Sequence, residues 1–358
     1  MNIFYVHKRK CFNILLCFGV ATLLVILFET QYLPFKIYRL FYPSGSIYCY
    51  RIQTESLPEI TDITPRKGKS IFFHETSCKS FLYDKIFISS RQACAVESAA
   101  RTNPNYDVYL LFTSPGLLKF EGDESDDILK ALSTYDNIKM FHLDYEKYTK
   151  GTPLENLYTS GKIEDSIYAQ SHASDVLRYL TLWKYGGIYL DLDVIVTKSL
   201  EDIQPNYAGI ESNKNVAAGV LSFDSTGKGH EMAEKCVDDL KHNFNGHDWG
   251  NNGPGVITRL LKSLCGVQLA KDMIGKDCGG FTAYPPHTFY PVPWEKWKMY
   301  FDENSTKAVL NMAKDSVAVH VWNKHSERTS LPLTSGAPYM YFAKKYCPKV
   351  IEACHDSF

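Results

Sequence analysis

Beyond residue 69 the apolar positions of this chain come in short blocks, separated by stretches with a different spacing. Ile71-Phe72-Phe73-His74, Tyr106–Phe112 and Ile138–Leu143 are β-branched and aromatic runs that each predict a strand. Ser90–Thr102 (SRQACAVESAART) and Asp126–Ser133 lie between these runs and are predicted helices. Strands alternating with helices imply an α/β domain with a mostly parallel sheet, whose ligands gather at the carboxyl edge. No G-x-G-x-x-G follows the first strand and no G-x-x-x-x-G-K-[ST] occurs, which disfavours dinucleotide and P-loop chemistry.

The pattern sharpens in the middle of the chain. Ser171–Tyr185 (SHASDVLRYLTLWKY) predicts a helix, with Ser171 or Ser174 as its cap. Val176, Tyr179, Leu180 and Trp183 form its apolar stripe, and Asp175 and Arg178, three apart, share another face. Gly186-Gly187 ends the helix, and Ile188–Val196 predicts a buried strand. Alternation along that strand puts Tyr189, Asp191 and Asp193 on one face and Ile188, Leu190 and Leu192 on the other. Two neighbouring carboxylates in an apolar strand repel each other and lose solvation, and a cation relieves both costs. Hard oxygen ligands in this arrangement suit Mg²⁺ or Mn²⁺, especially where a substrate phosphate completes the shell. The plain alternatives are a strand end meeting water for the aspartates, and a surface i,i+3 ion pair for Asp175 and Arg178.

The amino terminus bears on location. Lys8, Arg9 and Lys10 precede an apolar run from Cys11 to Phe28. As a helix it spans about 27 Å, enough for a thin bilayer. No small-x-small cleavage site follows, which favours a signal anchor over a removed signal peptide. The expected layout is a cytoplasmic tail (1–10), a transmembrane signal anchor (11–29) and a proline-broken stem (30–68). A luminal body follows, with one half at 69–210 and another at 211–358. Eight cysteines lie beyond the anchor, which fits up to four disulfides in an oxidising compartment. Cys78/Cys94, Cys265/Cys278 and Cys347/Cys354 are the closely spaced guesses. Net charge is −1, with both signs interspersed, so nucleic acid is not an implied partner. Asn304-Ser305-Thr306 is one glycosylation sequon, usable if the body is luminal.

The order S-D-x-x-R-Y…G-G-x-Y-x-D-x-D, from Ser174 to Asp193, is far more specific than D-x-D alone. It resembles the glycosyltransferases with a DXD-containing sugar-binding region. Asn251-Asn252-Gly253-Pro254-Gly255-Val256-Ile257-Thr258-Arg259 and Ala318-Val319-His320-Val321-Trp322-Asn323 narrow the likeness. Those segments resemble the animal α1,4-glycosyltransferases, galactosyl- and N-acetylglucosaminyltransferases among them, over residues 70–345.

The resemblance implies a GT-A type fold, a Rossmann-like α/β/α domain behind an N-terminal transmembrane helix. It also implies a retaining, Mn²⁺-dependent (or Mg²⁺-dependent) Golgi enzyme of type II topology. That enzyme would move Gal or GalNAc from a UDP-sugar in α1,4 linkage to a glycosphingolipid. Transfer of α1,4-GlcNAc to glycoprotein glycans is the alternative, and an inactive Golgi binder is another. By resemblance Asp175 and Arg178 contact the donor sugar, while Asp191 and Asp193 are catalytic and bind metal and diphosphate.

The residues add further candidates. Asn252 and Gly253 open a helix at an acceptor-side turn, or are merely turn residues. In a predicted strand Ser316–Trp322, Val317, Val319 and Val321 face the core, while His320 and Trp322 face the other side. His320 is a candidate third metal or diphosphate ligand, or simply a buried or surface histidine, and Trp322 either stacks on an acceptor sugar or fills core. By the resemblance His74, after the first strand, lies where GT-A enzymes hold the uridine, or else it only packs; Tyr189, on the face of the aspartates, completes the donor-side set.

Overall fold

A computed structural model describes residues 45–358, of which residues 47–358 form one compact unit. The expected cytoplasmic tail, the anchor and the first part of the stem lie outside the described residues. Among the described residues no helix is long and apolar enough to cross a membrane.

Nine strands can be followed: β1 (Ser70–Glu75), β2 (Asp107–Phe112), β3 (Ile138–His142), β4 (Gly187–Leu190), β5 (Val194–Val196), β6 (Tyr207–Ile210), β7 (Val216–Phe223), β8 (Thr282–Tyr284) and β9 (Ala318–His320). Seven form one sheet in the order β3-β2-β1-β4-β7-β6-β8, while β5 and β9 pair separately. β3, β2, β1 and β4 run parallel, β7 runs antiparallel to β4 and β6, and β8 is parallel to β6. The expected α/β class is therefore observed, as a mixed sheet. Both expected halves of the body contribute strands to it.

The helices that matter for the site are α1 (Ser90–Thr102), α2 (Glu124–Ser133), α3 (Ala169–Tyr185), α4 (Gly227–Asn243), α5 (Pro254–Cys265) and α6 (Pro338–Tyr346). α1 opens with a capping box in which the Ser89 side chain accepts from the Gln92 amide. β1, β2, β4 and β7 are buried along their whole length, as befits central strands covered on both faces. Their near-continuous apolar runs are what made them readable in the sequence.

Two local expectations change. The first turn of α3 begins at Ala169 after Tyr168, without a side-chain cap, so Ser171 and Ser174 lie inside the helix. The predicted strand Ile188–Val196 is broken: Leu190 ends β4, and Val194 begins β5 in the other sheet. The break is a turn, in which the Val194 amide donates to the Asp191 carbonyl at 3.0 Å. Desolvating two carboxylates inside a ladder is costlier than leaving the ladder there. At the far end, the strand expected over Ser316–Trp322 shortens to Ala318–His320, because Trp322 takes a left-handed backbone (φ 58°).

Gly187 is required by packing. Its φ is +92°, and a Cβ there would collide with the Ser70 carbonyl of β1. The strand that delivers the aspartates thus lies close against β1.

Three disulfides tie the body together: Cys49–Cys78, Cys94–Cys347 and Cys265–Cys278. Only the last matches the spacing-based guesses. Cys78/Cys94 and Cys347/Cys354 are corrected, since α1 carries Cys94 to the C-terminal segment instead, closing a separation of 253 residues. Cys236 and Cys354 are free and buried.

Candidate functional site

β4 runs parallel to β1 and β2, so its carboxyl end meets the same sheet edge as Glu75 and Phe112. Asp191 follows that end directly, held by its amide on the Gly219 carbonyl of β7 (2.9 Å). Asp193 lies two residues on, where β9 returns. The Val321 amide donates to its carbonyl (2.9 Å), and the Asn323 amide donates to its Oδ2 (2.9 Å). β5 pairs with β9 so that Val194 meets His320. The two aspartates therefore converge on a histidine contributed from 127 positions further along the chain (193 to 320).

His320 Nε2 lies 3.2 Å from Asp193 Oδ1 and 3.7 Å from Asp191 Oδ2. One ligand atom from each of the three falls within 4.8 Å of the others, close enough to share one ion. The floor of this cluster is Gly219, where a Cβ would sit 2.8 Å from Asp191 Oδ2 and 3.2 Å from His320 Nε2. A Cβ there would crowd both ligands, so glycine is what lets them lie this close to β7. Two carboxylates and an imidazole within reach of one another fit a small divalent ion. Trp322 packs behind the histidine, its ring 4.2 Å from that of His320 and its Nε1 donating to the Val292 carbonyl (2.9 Å). That is a supporting place, and it leaves Nε2 turned toward the aspartates.

The second half of the site comes from α3. Arg178 is 7% exposed and Asp175 6%, so the pair is buried, unlike an ordinary surface i,i+3 bridge. Arg178 donates through Nη1 to Asp191 Oδ1 (3.0 Å) and the Ala218 carbonyl (2.8 Å), and through Nη2 to Ser174 Oγ (3.1 Å). The same Nη2 is 3.1 Å from Asp175 Oδ1. Tyr189 adds a hydroxyl bond to Asp191 Oδ1 (2.7 Å), and its ring lies under the guanidinium at 4.7 Å. Such charge-assisted bonds fix the carboxylate's direction as well as its charge.

These neighbours set the ionisation. Burial raises the Asp191 carboxyl, yet the Arg178 guanidinium, His320 and the Tyr189 hydroxyl outweigh it and hold the group below the ordinary carboxylate value. Asp193 lacks a direct bond to Arg178, and burial beside Asp191 pushes it above the ordinary carboxylate value. Burial depresses His320, but the two carboxylates overcome this and hold it above its usual value. Asp175 is pushed up to about 6, chiefly by burial, with Arg178 opposing.

His74, at the end of β1, bonds through Nε2 to Thr181 Oγ1 (3.2 Å), and its ring lies 5.2 Å from that of Tyr189. Burial, with Arg178 nearby, drops it to about 3, so it is neutral. Its Nδ1 has no hydrogen-bond partner among the described residues.

The loop between α4 and α5 supplies Asn252 and Gly253. Asn252 is fully buried and its amide is taken up by Asn245, accepting from the Asn245 amide (2.9 Å) and donating to its carbonyl (2.8 Å). Gly253 abuts the Asp175 carboxylate so closely that a Cβ would overlap it. The expected donor and metal residues are thus brought together, with Gly253 alongside, while Asn252 braces the loop from behind.

Four residues escaped the sequence reading. Ala218 offers a carbonyl and Gly219 a close approach that a Cβ would block, and the small-residue run Ala217-Ala218-Gly219 in a buried strand was the available signal. Asn323 acts through its backbone, which no side-chain pattern reveals. Glu211 follows β6, which runs parallel to β4, and therefore reaches the same edge. Burial raises its carboxyl, and His320 works against that rise.

Comparison with known proteins identifies this arrangement. Residues 89–210 match the glycosyltransferase sugar-binding region containing the DXD motif, and residues 225–354 match the α1,4-glycosyltransferase conserved region. The rat lactosylceramide 4-α-galactosyltransferase is 36% identical over 283 residues, covering 78% of this chain and 74% of the relative. The human α-1,4-N-acetylglucosaminyltransferase is 28% identical, covering 72% and 74%. Among solved structures, the galactosyltransferase LgtC with donor and acceptor sugar analogues covers 80% of this chain and 96% of that one. Its 13% identity and TM-score of 0.38 are too distant for its site to be carried over. At more than a third identity over most of its length to a named galactosyltransferase, the chain is a glycosyltransferase and belongs to the α1,4-glycosyltransferase family.

Proposed function

We propose that the chain transfers Gal or GalNAc from a UDP-sugar, in α1,4 linkage and with retention, to the terminal sugar of a glycosphingolipid. Relatives named for lactosylceramide support galactose and a glycolipid acceptor. The observation that carries the reading is the convergence of Asp191, Asp193 and His320 beside the buried Asp175–Arg178 pair. In this reading the domain is of the GT-A type, and a Golgi signal anchor over residues 11–29 holds the body in the lumen.

Asp191, Asp193 and His320 would hold the divalent ion, Mn²⁺ or Mg²⁺. When bound, it supplies Lewis-acid neutralisation of the leaving diphosphate. The remaining chemistry falls to the chain. Arg178 orients Asp191 and lends positive charge to the diphosphate side of the cleft. Asp175, ionised above about pH 6, accepts hydroxyls of the donor hexose. Neutral His74, with its unpartnered Nδ1, and the Tyr189 ring border the donor.

In the transfer step an acceptor hydroxyl oxygen bonds to C1 as the C1–O bond to the diphosphate breaks. The acceptor's proton passes to a diphosphate oxygen on the same face, which preserves configuration. The test is transfer by the full chain in detergent with Mn²⁺, using UDP-Gal, UDP-GalNAc and UDP-GlcNAc. Lactosylceramide, a GlcNAc-terminated glycolipid and no acceptor are compared. Acceptor-dependent product from UDP-Gal or UDP-GalNAc is expected. Transfer from UDP-GlcNAc alone would move the assignment to the N-acetylglucosaminyl branch, and UDP release without acceptor would make the protein a hydrolase.

A further inference from the structure

Three chain segments outside the donor and metal cluster meet at one half-exposed aromatic patch. The first is Ile167-Tyr168, just before α3, with Ile167 63% and Tyr168 37% exposed. The second is the tip of the α4–α5 loop, where Trp249 is 44% exposed. The third is the short helical turn Asn323–Ser326, which brings Lys324. Lys324 Nζ lies 4.1 Å from the centre of the Trp249 ring and 6.0 Å from that of Tyr168, so the three segments share one spot.

Each segment is also tied to the reacting centre. Tyr168 leads directly into the helix that carries Asp175 and Arg178. The loop bearing Trp249 ends at Gly253, against the Asp175 carboxylate. Lys324 follows Asn323, whose amide holds Asp193, and its charge is felt at Asp175. The base of the loop is rigid: Asn251 Nδ2 donates to the Asn243 carbonyl (2.8 Å), Asn252 clasps Asn245, and Arg259 bonds both Asp239 and Asn251. Ser166 Oγ and the Ile167 amide both donate to the Gly246 carbonyl, which locks the first segment to the second. A pinned base fixes where the indole stands, with the Lys324 ammonium lying against its ring.

The chemistry of the patch matches a hexose. A pyranose has one face of C–H groups and an edge of hydroxyls; the patch offers an indole and a phenol ring with an ammonium between them, and the exposed Asp248 directly precedes Trp249 in the chain. A lipid surface would gain little from that carboxylate, and a protein partner would want a wider apolar area.

We propose that Trp249, Tyr168 and Lys324 form the platform for the acceptor's terminal sugar. The rings would stack on its C–H face, and Lys324 would swing off the indole to donate to a hydroxyl. This deepens the glycosyltransfer reading of the site and rests on it.

Two arms keep the two claims separable. The first is saturation-transfer NMR with lactose and the full chain, with no donor present. The second is steady-state kinetics with lactose and with lactosylceramide in detergent. For Trp249→Ala, the lactose signal should fall to background and the acceptor KM should rise at least tenfold with both acceptors. The donor KM should stay within about twofold, and Trp249→Phe, which keeps a ring, should recover most of the loss. Lys324→Met should raise the acceptor KM more moderately, about three- to tenfold.

An unmoved acceptor KM in an active Trp249→Ala enzyme overturns the platform. So does a donor KM that rises in step, which would make the role structural. A KM rise confined to the micellar glycolipid also overturns it, in favour of contact with the lipid. Wild-type protein that transfers no sugar yet shows lactose saturation lost in Trp249→Ala would sink the transfer reading and leave the platform standing.

Discussion

Around Asp191 the polar groups answer one another inside the chain: Arg178, Tyr189 and the Gly219 carbonyl each hold it, and Asn323 holds its neighbour Asp193. At Trp249, Tyr168 and Lys324 the base is braced but the side chains stand open to solvent. The first region is suited to developing charge, where donors and dipoles must be in place before reaction. The second is suited to a ligand recognised by shape, where exposed apolar surface is the working material. A glycosyltransferase needs both, because the diphosphate is the same for every UDP-sugar while acceptors differ.

The strongest way to break this contrast is to remove Asp193. Losing one ligand carboxylate forfeits several kcal/mol of charge stabilisation, so Asp193→Ala should lower kcat/KM at least about 10³-fold. Removing a like-charged neighbour of Asp191 should leave the fold intact, with an unchanged far-ultraviolet circular dichroism spectrum. Retained metal-dependent turnover would end the assignment of the cluster. Gly219→Ala sharpens the same point without touching a ligand. Its Cβ would press on Asp191 Oδ2 and His320 Nε2, and a displacement of that kind should cost about 10- to 100-fold in metal affinity, read by Mn²⁺ titration. An unaltered titration would show that the close approach at Gly219 is not part of the metal site.

The pH dependence separates the regions further. Asp175 titrates near 6 in the folded chain against an ordinary value of 3.8, so folding favours its protonated form. Above about pH 6 the buried carboxylate costs stability, at most about 3 kcal/mol, and the cost is relieved as pH falls toward 3.8. Donor binding runs the other way, since the ionised form accepts the hydroxyls. Donor KM should therefore rise as pH drops below about 6, while the acceptor KM, set by the aromatic platform, changes little. Asp175→Asn should flatten the donor profile, lose about tenfold or more in donor affinity, and unfold at higher denaturant than wild type at pH 8. The stability margin should shrink toward pH 4. Kinetics over pH 5–8 and urea melts at the two extremes check both signs.

The two regions were also unequally legible in the sequence. β1, β2, α1 and the helix before Gly186-Gly187 were readable because buried apolar runs and a glycine stop are local signals. Asp175, Arg178, Asp191 and Asp193 lie within nineteen positions (175 to 193), so their joint placement was legible too. The partition of Ile188–Val196 into two sheets was not, because periodicity cannot tell a strand from two strands joined by a turn. The Cys94–Cys347 bridge and the Asn323 amide on Asp193 depend on chain return over long separations, which spacing does not encode. Trp249 and Tyr168 were invisible for another reason. A half-exposed aromatic in a loop has no pattern to distinguish it from any other.

The smallest expected effect concerns Glu211. A double displacement would need a carboxylate on the sugar's far face, and the structure brings this one to the carboxyl edge of the sheet, within reach of the His320 charge. A nucleophile on the sugar's far face would have to be ionised and aimed at C1. Burial raises the Glu211 carboxyl, with His320 opposing, and its backbone turns on Asn215, with the Glu211 amide bonding the Asn215 carbonyl at 3.1 Å. Those features suit a wall of the cleft better than an attacking group. Same-face transfer then predicts that Glu211→Gln, which keeps shape and removes charge, lowers kcat less than about fivefold, since no covalent step is lost. A fall of 10³-fold or more, with a glycosyl adduct on Glu211 trapped by a slow donor analogue and found by mass spectrometry, would reverse the mechanism. The donor side of the cleft would then supply a nucleophile as well as a charged cradle.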